Sequence, residues 1–157
     1  MTTGLDVFDQ TVQQTNTWLV EIERELGANR QRAYLALRGT LHALRDELVP
    51  DEAVHLAAQL PMLVRGLYYE GWKPTKTPVQ ERNREEFLAR VAAAFARSGG
   101  VDAEHAAYTV LRVMSEQIDR GEVEHVRRLL PKSVRSLWPE PVPAGAIEQG
   151  AGAASSA

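Results

Sequence analysis

A proline corner written twice is what most restricts this chain. Leu60-Pro61-Met62-Leu63-Val64-Arg65-Gly66-Leu67-Tyr68 returns as Leu130-Pro131-Lys132-Ser133-Val134-Arg135-Ser136-Leu137-Trp138. Proline has no amide proton and holds the preceding residue away from helical geometry, yet its ring suits the first turn of a new helix. Each Leu-Pro pair therefore reads as a bend between two short helices. Other segments recur in the same order. Phe8 through Val12 matches Phe87 through Val91, Ala33-Tyr34 through Leu37-Arg38 matches Ala107-Tyr108 through Leu111-Arg112, and Glu52 through His55 matches Glu122 through His125. The expectation is an all-α fold, a helical bundle made of two pseudo-symmetric four-helix repeats, each running long, long, short, short and burying the stripe the other leaves open. Repeat 1 spans about 3–72, a linker 73–79 and repeat 2 about 80–138. Together they make a single helical domain, 1–138, and 139–157 reads as a flexible tail because its Pro, Gly and Ala composition cannot bury enough to order itself.

The helices follow from spacing and caps. Thr3-Gly4-Leu5-Asp6 has the form of a capping box, and Leu5, Phe8, Val12, Thr15, Leu19, Ile22 and Leu26 alternate spacings of three and four, one apolar stripe ending at Gly27. Glu21, Glu23 and Glu25 crowd the end of that helix, where the macrodipole disfavours negative charge, so basic groups are expected beside it. Asn29 caps a second helix with Tyr34, Leu37, Leu41, Leu44 and Leu48 on its stripe, and Asp51 caps a short third. Lys73 to Pro78 is too rich in proline for regular structure, and Thr77-Pro78-Val79-Gln80 predicts the start of the fifth helix. Asp102 caps the sixth, and Val123, Val126 and Leu130 mark a short seventh.

Composition then removes whole classes of function. With 18 basic and 21 acidic side chains the net charge is −3, which provides no field to gather polyanions, so nucleic acid is not an expected partner. Arg127, Arg128, Lys132 and Arg135 form a local basic cluster that reads as a solvated face. The absence of cysteine excludes thiolate metal sites and disulfides and suits a reducing compartment. Met1 to Asp9 does not spell a leader, and no window approaches a membrane span, so the expected location is the cytoplasm with no membrane partner.

The run from Ala57 to Trp72, with Arg84-Glu85-Glu86-Phe87-Leu88 after the linker, resembles the bacterial domain of unknown function family 2267. The resemblance covers about residues 5–140 and includes the second Leu130-Pro131 corner. It implies a compact helical protein with an internal duplication. It implies no activity, cofactor or catalytic residue.

Several residues invite chemistry. Glu52-x-x-His55 and Glu122-x-x-His125 have the spacing by which a helix offers two ligands on one face, and carboxylate-bridged di-metal bundles use that pair twice. The competing reading places Glu52, His55 and Gln59 on the wet side of the third helix, where a first-turn Glu complements the macrodipole. Arg65 and Arg135 stand one turn past their prolines, where a pair of guanidinium forks suits an anion, or where each ties its own corner to a carbonyl or carboxylate. Tyr68 reads as core, whereas Tyr69 and Trp72 read as an exposed aromatic pair fit for a partner. His42 and His105 lack a nucleophile or acid partner at readable spacing, and no Gly-rich phosphate loop is present, so no catalytic residue and no cofactor are expected. The function these residues support is a non-enzymatic module that binds a protein partner or forms a homo-oligomer. The alternative is a metal- or small-ligand-binding bundle using the paired Glu-x-x-His segments.

Overall fold

A computed structural model describes residues 2–140. Among them are eight α-helices and a short 3-10 turn, and no strand. The helices are α1 (Asp6–Leu26), α2 (Arg30–Asp46), α3 (Pro50–Ala57), α4 (Met62–Tyr69), α5 (Arg84–Ala93), α6 (Ala103–Gln117), α7 (Arg120–Leu129) and α8 (Lys132–Arg135), with the 3-10 turn at Pro74–Lys76. The fold is all-helical, as the spacing predicts. Apart from residues 139 and 140, the expected tail lies outside the described residues.

Caps and breakers act where their chemistry requires. Asn29, Asp102 and Asp119 each accept the amide of the third residue on, from Arg32, His105 and Glu122, which satisfies donors a helix start leaves orphaned. Gly27 ends α1 at φ 61, a left-handed backbone that glycine adopts without cost. Both proline corners form. In the first, Arg65 donates from Nε to Ala57 O (2.9 Å) and from Nη2 to Leu60 O (2.9 Å). In the second, Arg135 donates from Nε to Arg127 O (2.8 Å) and from Nη2 to Leu130 O (3.0 Å), with the same offsets of eight and five residues.

Three local expectations are corrected. The carboxylate that reaches back at the start of α1 is Asp9, which accepts from Thr3 N (2.7 Å) and Thr3 Oγ1 (2.9 Å), while Leu5 occupies the cap position without a side-chain bond. The third helix starts at Pro50, one residue before the expected Asp51 cap. The fifth helix begins at Arg84, capped by Asn83, because the preceding segment is held extended: Val79 N donates to Asp46 O (2.9 Å) and Arg82 is committed to Glu47.

The largest difference concerns α1. Its buried residues are Thr11, Trp18 and Ile22, whereas Leu5, Phe8 and Val12 are about half exposed, between 44% and 54%. The sequence match of Phe8 and Val12 with Phe87 and Val91 is not a match in burial, because the latter two are fully buried. Helix α1 has 21 residues against 10 in α5, and its turns from Asp6 to Gln14 overhang the core.

Helix α2 lies at the centre, packed by α1, α4, α5 and α6; α1 also packs on α6, and α3 on α7. A Cβ at Gly39 would meet Ala94 Cβ at 2.8 Å and Val91 O at 3.1 Å, so only glycine lets α2 and α5 approach this closely. Just past the end of α2, the fully buried carboxylate of Glu47 accepts from Arg82 Nε (3.1 Å) and Arg90 Nη2 (2.6 Å), and Arg82 continues to Leu129 O (2.9 Å). This ion triad joins α2, the segment before α5, α5 itself and the end of α7. Removing one partner strands a buried charge, so Glu47→Ala is expected to lower the free energy of unfolding by about 3–5 kcal/mol, read from urea denaturation.

Candidate functional site

The overhang of α1 opens a groove of about 710 Å³. One wall is Phe8, Val12, Thr15 and Leu19 of α1, the other is Met62, Leu63 and Leu67 of α4, and Tyr34 and Leu37 of α2 form the floor. The lining is almost wholly apolar: Thr11 Oγ1 accepts from Leu63 N (2.9 Å) and Thr15 Oγ1 donates to Thr11 O (2.8 Å). Met62 and Leu63 are as exposed as Phe8 and Val12. An open apolar surface of this kind on a folded chain marks a place where something docks, because burying it is favourable and leaving it in water is not. Its rim is polar: Arg30 bridges Asn16 and Glu23 on the α1 side, and Arg38 pairs with Glu70 (3.3 Å) on the α4 side.

The two Glu-x-x-His segments do come together, at the contact of α3 and α7. His55 Nδ1 lies 3.0 Å from Glu122, and His125 Nε2 lies 2.8 Å from Glu52 Oε2. The imidazoles stand edge to face, 6.1 Å between centroids. Each histidine is thus taken by a carboxylate of the other segment. His55 lies on the exposed side of α3, 62% exposed, and Gln59 just past the end of that helix is exposed too, while Glu122 of α7 is buried at 5% exposure beneath His55. Among the described residues, no three or more His, Asp and Glu side chains are placed to hold a metal ion. The hydrogen bond His55 donates to the Glu122 carboxylate, and then that group's negative charge, hold the His55 pKa above its ordinary value.

The remaining candidates fall on structural duties. Arg65 and Arg135 spend Nε and Nη2 on the carbonyls of their corners. Tyr69 and Trp72 stack at 5.5 Å and are half-buried against the core, less exposed than expected. Tyr68 is fully buried and donates to Ala53 O (2.8 Å). His42 Nε2 lies 2.7 Å from Leu67 O, an acceptor only, so that nitrogen carries the proton, and burial lowers the ring's pKa. Arg127, Arg128 and Arg135 surround a shallow surface pocket shared with Glu124 and Glu140, so the basic cluster has acidic neighbours. The basic groups expected at the end of α1 are Arg24 on Glu21, Arg30 on Glu23 and Arg112 on Glu25.

Sequence reasoning missed the groove, because Leu5, Phe8 and Val12 belong to a stripe that reads as core. The available signal was Trp18, the bulkiest apolar residue of α1, which lies off that stripe with Thr11, so that only the stripe's later member Ile22 shares the buried face.

The family model described as "Uncharacterized conserved protein (DUF2267)" matches residues 15–137. The chain belongs to this family. A comparison with curated proteins finds no match. The match to the DUF2267 family spans both proline corners and both Glu-x-x-His segments, and it begins just after the overhang of α1. Among the described residues, no helix is long and apolar enough to cross a membrane.

The His–Glu contacts make a pH prediction. His55 is faced by Glu122 and Glu52, with His125 and Asp51 alongside. Because the folded state binds its proton more tightly, the stabilisation is fully present below the ordinary value of 6.5 and is lost as pH rises through the raised folded value. In an NMR titration His55 is expected to titrate above the ordinary value of 6.5, and Glu122→Gln to lower it towards that value.

Proposed function

We propose that this chain is a non-enzymatic interaction module, built from two copies of a four-helix unit, which docks a helical partner in the groove between α1 and α4. The observation that carries the reading is the overhang: α1 presents Leu5, Phe8 and Val12 where its own fold has nothing to cover them, beside equally exposed Met62 and Leu63. A groove walled by two helices and floored by a third suits an amphipathic helix, whose anchors recur every three or four residues.

Support for the duplicated unit comes from contacts that swap under exchange of the halves. The pairing of α1 with α6 corresponds to that of α5 with α2, while the α2 to α6 and α3 to α7 contacts map onto themselves. The crossed His55–Glu122 and His125–Glu52 bonds have the same property. In this reading, Glu52, His55, Glu122 and His125 interlock the two units, as do the corner arginines within each. What favours interlocking over metal binding is that each imidazole already gives one nitrogen to a carboxylate. We place the protein in the cytoplasm, a compartment that suits a chain without cysteine.

The test uses tagged wild-type and Phe8→Asp chains as bait in native extract, with any retained protein, untagged copies of this chain included, identified and remeasured in purified form. A side chain of this size contributes about 1.5–3 kcal/mol when buried, so replacing it with a charge is expected to weaken the identified complex about 100-fold or more. A complex indifferent to Phe8→Asp and to Leu63→Asp contradicts the groove as the docking surface.

A further inference from the structure

The groove reading says that a helix docks; the chain itself says which one. We infer that the occupant is α1 of a second copy, laid antiparallel across a two-fold axis between Val12 and Gln13, so that each α1 fills the other's groove. This inference rests on the docking reading above.

Leu5, Phe8, Val12, Thr15 and Leu19 follow the strict three-four alternation of a coiled-coil seam, narrower than the stripe of a helix lying on a globular core. Such a seam is complementary to another like it. Along α1 the face that serves the core is that of Thr11 and Trp18, joined by Ile22 and partly by Leu19 at the end of the seam, so Leu5, Phe8 and Val12 are left over after the fold is complete. Helix α1 thus carries both halves of an interface, an exposed amphipathic helix and an open apolar groove alongside it. A two-fold pair uses each twice.

Charge selects the direction. A parallel pair sets Asp6 and Asp9 of both first turns side by side, together with two helix N-termini, and the like charges and dipoles repel. In the antiparallel register, Asp9 of one copy comes opposite Asn16 of the other, where the half-exposed guanidinium of Arg30 rests on Asn16 and on Glu23 at 2.5 Å. Acid meets base at both ends of the pair. Phe8 of each copy then lies over Thr15, Leu19 and the Tyr34–Leu37 floor of the other, where the short threonine leaves space for a ring.

The area suffices. Leu5, Phe8, Val12, Met62 and Leu63, each about half exposed, present roughly 400–500 Å² per copy, so the pair covers on the order of 1,000 Å², where specific interfaces begin. Such an interface is small, and the dimer is expected to exchange with monomer.

Sedimentation equilibrium of the full chain over micromolar to millimolar concentration tests the proposal, together with single cysteines placed in this cysteine-free sequence. The wild type is expected to approach dimer mass, and Phe8→Asp to raise the dissociation constant about 100-fold or more with an unchanged circular dichroism spectrum. Val12→Cys, beside the axis, is expected to form a disulfide-linked dimer under mild oxidation, and Gln10→Cys, on the outer face of α1, is not. A dimer that persists in Phe8→Asp, or one trapped through Gln10→Cys but not Val12→Cys, overturns the proposed pairing. A wild type monomeric throughout overturns the second copy as occupant, and if a foreign partner still needs Phe8, the docking reading survives. Substitutions without effect in either assay overturn both.

Discussion

The close approach of α2 and α5 is the constraint on which the other placements depend. At Gly39 the two backbones come so near that a single methyl would collide with Ala94 and the Val91 carbonyl. Just past the end of α2, Glu47 lies wholly out of water between Arg82 and Arg90, and its charge is tolerable only because both guanidinium groups reach it. With α2 and α5 fixed at two points, Arg45 at the end of α2 takes the carbonyls of Tyr68 (2.9 Å) and Glu70 (3.0 Å), which seats α4. The corner arginine Arg65 then ties α4 back to α3, and α3 meets α7 through the crossed His–Glu bonds. Packing sets the core, and a few charged groups with defined geometry set the angles at its edges.

How much of this could be read in advance depends on how local each cause is. The Leu60-Pro61 and Leu130-Pro131 bends, the caps at Asn29 and Asp102 and the stop at Gly27 depend on residues within a turn of one another, and the sequence spells them. Helix α1 misleads because two faces compete: the apolar letters at Leu5, Phe8 and Val12 describe a seam, while the core takes Trp18 and Ile22. The positions of α2, α4 and α6 around α1 decide between them. The start of α5 moves to Arg84 because Val79 and Arg82 are held by Asp46 and Glu47, partners more than thirty residues away. For the same reason the Glu47 triad leaves no trace in spacing. The Glu-x-x-His segments were visible as a pair, but their crossing, histidine of one to carboxylate of the other, is a product of how α3 meets α7.

The two ends of α1 are used differently. Trp18 and Ile22 are buried in the core and Leu26 packs against it, whereas Phe8 and Val12 of the first turns are about half exposed. The match to the DUF2267 family starts at residue 15, and Leu5, Phe8 and Val12 lie ahead of it. These three stay about half in water, beside an apolar groove of the kind a second helix would fill.

The most direct measurement of that idea is methyl NMR across a dilution series of the full chain. Val12, Met62 and Leu63 line the groove, whereas Val49 and Val54 are equally exposed outside it. If the groove is a docking surface filled by another copy, the first set shifts with concentration while the second holds still. Shifts spread alike over both sets, or none in either up to millimolar protein, contradict the account.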